Sequence, residues 1–251
     1  MNSPLRLSLP LLGLMLAVSH LRAAELAIII DDLGYGVAQA RSVAALPGPL
    51  AVAVLPDAPR AARAATIAFA AGKEVLLHLP LQAVDTTPTA GTLTLDTTET
   101  ALVRRIESAL ASVPHVSGIN SHQGSLLTRH PGHMMWLMKA LKRHPKLYFI
   151  DSYTTERSVA LQVAAEYNVP ALRRHVFLDA KRDPAAIRHE FDRALARARR
   201  DGYAIAIGHP YPTTLAVLAE SIPRLQDGDV RLVAVSDLVE RYGLPQELAS
   251  E

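Results

Sequence analysis

After residue 25 the chain carries eight short apolar runs, at residues 26–30, 51–55, 75–79, 116–119, 147–150, 175–178, 204–207 and 230–235, and none of them alternates. A strand with one wet face alternates polar and apolar residues. A strand buried on both faces does not, and such strands belong to parallel sheets covered by helices. Helical patterns fill most of the intervals. In 99–111, Leu102, Ile106 and Leu110 recur at helical spacing. In 183–200, Asp183 is a natural N-cap, Pro184 suits the first helical position, and Ile187, Phe191 and Leu195 form one stripe ending before Gly202. Helices over 58–71 and 158–167 would end at Gly72 and Asn168, both able to adopt a left-handed cap. Repetition of strand and helix leaves two architectures, a parallel (β/α) barrel or an open doubly wound sheet.

The runs also end in reactive residues: Asp31-Asp32, Asp57, His78, Asn120 with His122, Asp151, Asp179 and His209. An open sheet gathers residues only near its switch point, whereas a barrel mouth gathers the ends of all its strands, so the barrel is the expectation. With 251 residues, 49% of them apolar, one large domain over 25–251 suffices. Residues 1–24 read as a secretory signal peptide: Arg6, an apolar stretch over 7–18, then small residues around Ala17 and Ala23-Ala24. That stretch is shorter than the roughly 20 residues of a membrane span, so a periplasmic or secreted protein without a span after cleavage is expected. Net charge is +2 with dispersed basic residues, which argues against a nucleic-acid surface. Gly34-Tyr35-Gly36 lacks a third glycine and follows two acids, so it is no phosphate loop.

Two adjacent carboxylates at a strand end repel unless a cation or a shared proton offsets them. One can ligate a divalent metal while the other stays free as a base. The chain has no cysteine, so histidines must complete such a site. His78, at the C-terminal end of its run, and His122, in the polar loop Asn120-Ser121-His122-Gln123-Gly124-Ser125, are the candidates. Asn120 and Ser125 are candidates for supporting or substrate contacts. Asp151 fits either a ligand or a carboxylate that orients a histidine, and the orienting role is favoured. His209 follows Gly208, which permits close approach, and titrates near neutrality, as a general acid must. His115, His130, His133, His144, His175 and His189 read as surface residues, and the Thr-rich stretch 82–98 as a loop beside the mouth. Asp32 with His78 and His122 leaves an open position on zinc. With Asp31 as base and His209 as acid, these parts describe amide hydrolysis.

At these residues the chain resembles the polysaccharide deacetylases of the NodB-homology type, and more closely their divergent bacterial branch. The resemblance rests on Ile29-Ile30-Asp31-Asp32-Leu33-Gly34, Leu77-His78-Leu79-Pro80, Gly124-Ser125, Ile150-Asp151-Ser152, Val176-Phe177-Leu178-Asp179 and Gly208-His209-Pro210-Tyr211-Pro212, in that order. It implies a distorted (β/α) barrel of about seven parallel strands, with Asp31 as base and Asp32 as metal ligand. It also implies an exported, metal-dependent carbohydrate deacetylase acting on N-acetyl groups of a cell-envelope glycan such as peptidoglycan. The chain departs from the ordinary pattern where Gln82 stands four residues after His78 in place of a second metal histidine, so His122 must serve from another strand. Ser121 and Tyr153 replace the Asn and Arg of the divergent branch. These departures motivate an alternative, a catalytically inactive glycan-binding or regulatory protein on the same barrel. A metal-free glycosidase using Asp31 and Asp151 would leave the histidines without a role.

Overall fold

The computed structural model describes residues 23–243, so residues 1–22 of the segment read as a signal peptide lie outside it. The strands are β1 (Ala24–Leu33), β2 (Ala51–Val54), β3 (Glu74–Leu81), β4 (Val116–Gln123), β5 (Tyr148–Asp151), β6 (Ala171–Arg173), β7 (Val176–Phe177), β8 (Tyr203–Gly208) and β9 (Val230–Leu232). The helices are α1 (Val37–Ala44), α2 (Ala61–Ala70), α3 (Glu99–Ser112), α4 (Pro131–Leu141), α5 (Ala160–Glu166), α6 (Pro184–Asp201), α7 (Pro212–Ser221) and α8 (Val235–Tyr242). Every named pairing is parallel, in the order β6-β5-β4-β3-β2-β1-β8-β7, a sheet curled into a barrel that stays open between β6 and β7. Strand β9 pairs with β1 over Ala24–Leu26, below the point where β2 begins its own pairing at Ile29.

The expected barrel is therefore present, with nine strands rather than about seven. Strand β6 left no trace in the hydrophobic pattern because it is three residues long and only Leu172 is buried. The opening is crossed by the chain itself. Arg174 N–H donates to the Asp151 carbonyl on β5 (2.9 Å), and His175 N–H donates to the Ile205 carbonyl on β8 (2.8 Å).

Two cores explain the missing alternation. Leu26, Ile28 and Ile30 face outward into the layer of helices, while Ala27 and Ile29 face inward with Ala51, Ala53, Leu76, Ile150, Ile205 and Ile207. Each fully buried Ile or Leu contributes about 1.5–3 kcal/mol, so from Leu26 to Ile30 neither face of β1 tolerates a polar residue. Helix α8 adds Val235, Leu238 and Val239 to the inner core. It closes the end where strands begin, since Ala171 N–H donates to the Gly243 carbonyl (2.8 Å) and Tyr242 stacks on Tyr203. At the same end Glu25, fully buried, is held by Arg231 (2.6 Å) and Arg241 (3.0 Å).

Helix α6 starts as its sequence dictates: the Asp183 carboxylate accepts from the N–H groups of Ala185 (2.9 Å) and Ala186 (3.0 Å), and Gly202 ends it at φ +85°. Helices α2 and α5 are shorter than the expected 58–71 and 158–167, but Gly72 and Asn168 do take left-handed backbone. With one end plugged, the mouth at the strands' C-terminal ends is where reactive side chains can meet.

Candidate metal centre

Side chains alternate along a strand, so the inward residues of β1 continue from Ala27 and Ile29 to Asp31, and Asp32 should point away. Asp32 instead adopts φ +60°, and the β1–β2 register slips between Ile30 and Leu33. That break turns the second carboxylate back into the mouth. On β3 the inward set Leu76 is followed by His78, and its register partner on β4 is Asn120, with His122 two residues further along the same face. His122 thereby reaches the site from the neighbouring strand.

The three candidate ligands converge. Asp32 Oδ1 lies 3.2 Å from His78 Nε2 and 3.1 Å from His122 Nδ1, and the two ring nitrogens are 3.1 Å apart. Dividing these 3.1–3.2 Å edges by √3 puts each corner about 1.8 Å from the triangle's centre, so a cation just off its plane meets all three at about 2.0–2.2 Å. The donor set also asks for one. A single proton on His122 Nδ1 can serve only one of its two neighbours, and the buried Asp32 Oδ1 has no hydrogen-bond donor aimed at it. Burial would raise the Asp32 carboxyl, but His122 and His78 outweigh it and hold the group well below the usual carboxylate range. It is ionised and ready to ligate. Carboxylate, two imidazoles and an open side fit zinc or a similar divalent ion.

Asn120, fully buried, sets the chemistry of two neighbours. A carboxylate accepts only, so Asn120 Nδ2 must donate to Asp31 Oδ1 (2.8 Å); Asn120 Oδ1 then faces His78 Nδ1 (2.8 Å) and must accept from it. His78 therefore carries its proton on Nδ1 and offers the Nε2 lone pair to the triangle, the arrangement a metal histidine requires. Asp31 sits behind, its Oδ2 3.6 Å from His78 Nε2. Burial raises the Asp31 carboxyl above its ordinary value, against His78, Asn120 and His209, which lower it.

His209, beyond the end of β8, faces the triangle from the opposite wall, with Nε2 3.7 Å from Asp32 Oδ2. Its partner is Asp179, whose Oδ1 accepts from His209 Nδ1 (2.9 Å) while Oδ2 accepts from the His209 N–H (2.6 Å) and the Thr214 hydroxyl (2.8 Å). Gly208 permits this: a Cβ there would stand 3.3 Å from Asp179 Oδ2 and 3.2 Å from Thr214. Burial lowers the affinity of His209 for a proton, but Asp179, then Asp32 and Asp31, raise it above the ordinary histidine value.

The orienting role expected of Asp151 is thus corrected. Asp151 touches no histidine among the described residues; its carboxylate accepts from the Tyr153 N–H (2.9 Å) and the Ser158 hydroxyl (2.7 Å), shaping the turn after β5. Asp179 was visible as a strand end, and its register beyond Phe177↔Ile207 places it beside His209. Asp57 instead pairs with Arg105 and lies outside the cluster. Ser125 Oγ accepts from Val84 N–H (3.0 Å), an anchor for the 82–98 loop. Gln82 serves that loop as well: its N–H donates to Leu93 (2.9 Å) and its Oε1 accepts from Leu95 N–H (2.9 Å). His175 is no surface residue, for its Nδ1 accepts the Ile205 N–H at the barrel opening (3.0 Å). His144 remains peripheral, paired with Glu107.

Comparisons with known proteins place the chain in a family and bear out its fold. Escherichia coli K12 has a relative, the uncharacterized protein YibQ, 40% identical over 238 residues, which span 94% of this chain and 74% of YibQ. An uncharacterized protein of Agrobacterium tumefaciens C58 has a similar structure, with a TM-score of 0.83 at 21% identity, covering 88% of this chain and 91% of that one. The T48 deacetylase solved with substrate matches at a TM-score of 0.52 and 15% identity, over 87% of this chain and 92% of that one. A family model for divergent polysaccharide deacetylases matches residues 28–239, a span that holds the paired aspartates, His78, His122 and the Asp179–His209 pair, and the chain belongs to that family.

Proposed function

We propose that this protein is an exported, metal-dependent carbohydrate deacetylase that hydrolyses N-acetyl groups of a cell-envelope glycan, with peptidoglycan the first substrate to test. The observation that carries it is the triangle of Asp32, His78 and His122 with a carboxylate behind and a histidine–aspartate pair in front. A divalent cation held by that triangle supplies Lewis acidity toward an amide carbonyl and toward water. Asp31, kept in place by Asn120, takes the proton of the attacking water. His209, protonated and fixed through Nδ1 by Asp179, gives a proton from Nε2 to the leaving nitrogen. Export rests on the character of residues 1–24. Among the described residues, no helix is long and apolar enough to cross a membrane.

The test is purified protein titrated with zinc, cobalt, nickel and manganese, then assayed for acetate release from chitooligosaccharides and peptidoglycan. About one equivalent should bind, Asp32→Ala should abolish binding, and acetate should appear. A protein that binds none of these metals sinks the proposal. A second reading, glycan binding without turnover, is favoured by Gln82, which holds a loop where ordinary deacetylases place a metal histidine. Glycan binding that survives Asp31→Asn, with no acetate from any substrate, would select it.

A further inference from the structure

Three arginines flank the gap between β6 and β7, and among the described residues none has a carboxylate within ion-pair distance. Each lies on an aromatic ring instead: Arg173 over Tyr153 at 4.4 Å, Arg174 over Phe177 at 5.1 Å and Arg182 over Tyr211 at 3.8 Å. Tyr153 follows β5, Phe177 ends β7 and Tyr211 follows β8, so the rings stand on both sides of the gap that the sheet leaves between β6 and β7.

The three differ in what they have left to give. Arg174 spends Nε and Nη2 on the carbonyls of Ser152 (2.6 Å) and Tyr153 (2.8 Å) and serves as a staple of that turn. Arg182 makes one hydrogen bond, from Nη2 to the Tyr211 hydroxyl (2.9 Å), and the Arg173 side chain makes none among the described residues. A guanidinium has five N–H donors in a planar fork that matches a carboxylate or phosphate. Stacking on a ring fixes the plane of that fork without using it up. Leu172 belongs to the inner core, so Arg173 next to it faces outward, and Arg182 is the cation held in place beside the mouth with most of its donors free.

Its position relates it to the chemistry. Tyr211 also stacks on His209, with ring centres 5.4 Å apart and planes inclined by 27°. A continuous series of contacts therefore runs from the buried Asp179 through His209 and Tyr211 to Arg182, which is separated from the candidate acid by one aromatic ring. Meanwhile the mouth holds the carboxylates of Asp31, Asp32, Asp151 and Asp179, all but Asp32 deeply buried, which disfavour an approaching anion. The site's histidines, a bound cation and the guanidinium of Arg182 at the rim offset them.

We infer that Arg182 forms an anion-reading edge of the substrate groove, and that the glycan carries a carboxylate or phosphate on the unit beside the N-acetylated sugar. This rests on the deacetylase reading and narrows its substrate class. The anionic unit enters from the β6–β7 side, where a planar fork can take it in two hydrogen bonds, while the N-acetyl group reaches the triangle.

The experiment is calorimetric binding at low salt to the full, metal-loaded protein, with three probes: chitotetraose, a hyaluronan tetrasaccharide carrying carboxylates, and chitobiose 6-phosphate. At least one anionic probe should bind ten or more times more tightly than chitotetraose, and which one does so identifies the anion. The variant Arg182→Gln, at an exposed position, should reduce that preference to within twofold at an unchanged melting temperature. Equal affinities for neutral and anionic probes, a preference that survives Arg182→Gln, or no binding of any probe overturns the inference. Acetate is scored separately: anionic preference without acetate release sinks the deacetylase reading alone, and acetate release without anionic preference sinks the anion-reading edge alone.

Discussion

Replacing Asn120 by leucine, of similar volume but without hydrogen-bonding groups, should weaken the metal site without removing any ligand. In the native protein Asn120 makes two bonds of 2.8 Å, one given to Asp31 and one taken from His78, in a place where Asn120 is fully buried, His78 is 2% exposed and Asp31 is 3% exposed. The leucine variant leaves the Asp31 carboxylate buried without its side-chain donor, a loss of about 1.5–3 kcal/mol for a bond to a charged group. It also frees His78 to carry its proton on Nε2, the nitrogen that must face the metal. Loss of such an outer partner typically costs 10–100-fold in metal affinity. Zinc titration by calorimetry should therefore show Kd rising by about that factor, while circular dichroism and the melting curve still report a folded barrel. Because Asn120 lowers the Asp31 carboxyl, its removal should also move the acid limb of the pH–rate profile to higher pH. A folded variant whose zinc affinity stays within twofold of native would refute the reasoning, since His78 would then need no help in choosing its tautomer.

Two further outcomes follow from the same geometry. Asp179→Asn keeps the shape of the pair but removes the charge that raises His209, so the alkaline limb should move to lower pH and kcat should fall about 10²-fold or more; an unmoved limb would mean that His209 is not the acid. Burial, then Arg197 and Arg173, lowers His175 from 6.5 to about 4, so between those values the unfolded chain binds the proton that the folded chain refuses. Stability should hold above pH 6.5 and fall toward pH 4 by at most about 3 kcal/mol, at about 1.4 kcal/mol per unit. Urea unfolding at several pH values should show this decline reduced in His175→Gln, and an identical decline in both proteins would contradict it.

Much of the architecture was legible because burial on both faces writes itself into composition. Ile28 and Ile30 had to be apolar for the helices outside, and Ala27 and Ile29 for the core inside, so the run before Asp31 could not alternate. Strand parity then carried His78, Asn120 and His122 to one face, which their sequence positions already implied. What parity could not give was strand order. Asp151 and Asp179 both end apolar runs, and nothing local says which of them meets His209. The sheet decides it, for β7 lies beside β8 whereas β5 lies across the opening. Likewise Gln82 occupies the position of an expected ligand, and only the loop that returns to pair Leu93 and Leu95 with it reveals its other task.

The paired aspartate needed something that strand geometry forbids. Adjacent residues of a regular strand face opposite ways, so one carboxylate of Asp31-Asp32 should have been lost to the helical layer. The left-handed backbone of Asp32 cancels that alternation in a single residue, at a cost that aspartate bears better than most side chains. Gln123 at φ +58° and Tyr153 at φ +49° make comparable breaks where β4 and β5 reach the same mouth. His115 and Asn168 share the conformation elsewhere, Asn168 just past the end of α5, so a left-handed residue does not by itself mark a site. What marks this one is the outcome. Beyond the break, a carboxylate oxygen is buried against two imidazoles with no proton aimed at it, while its neighbour Asp31 remains on the regular strand, bonded to Asn120 and free of the triangle. One strained residue thus separates the proposed ligand from the proposed base, which differ by a single position in the chain.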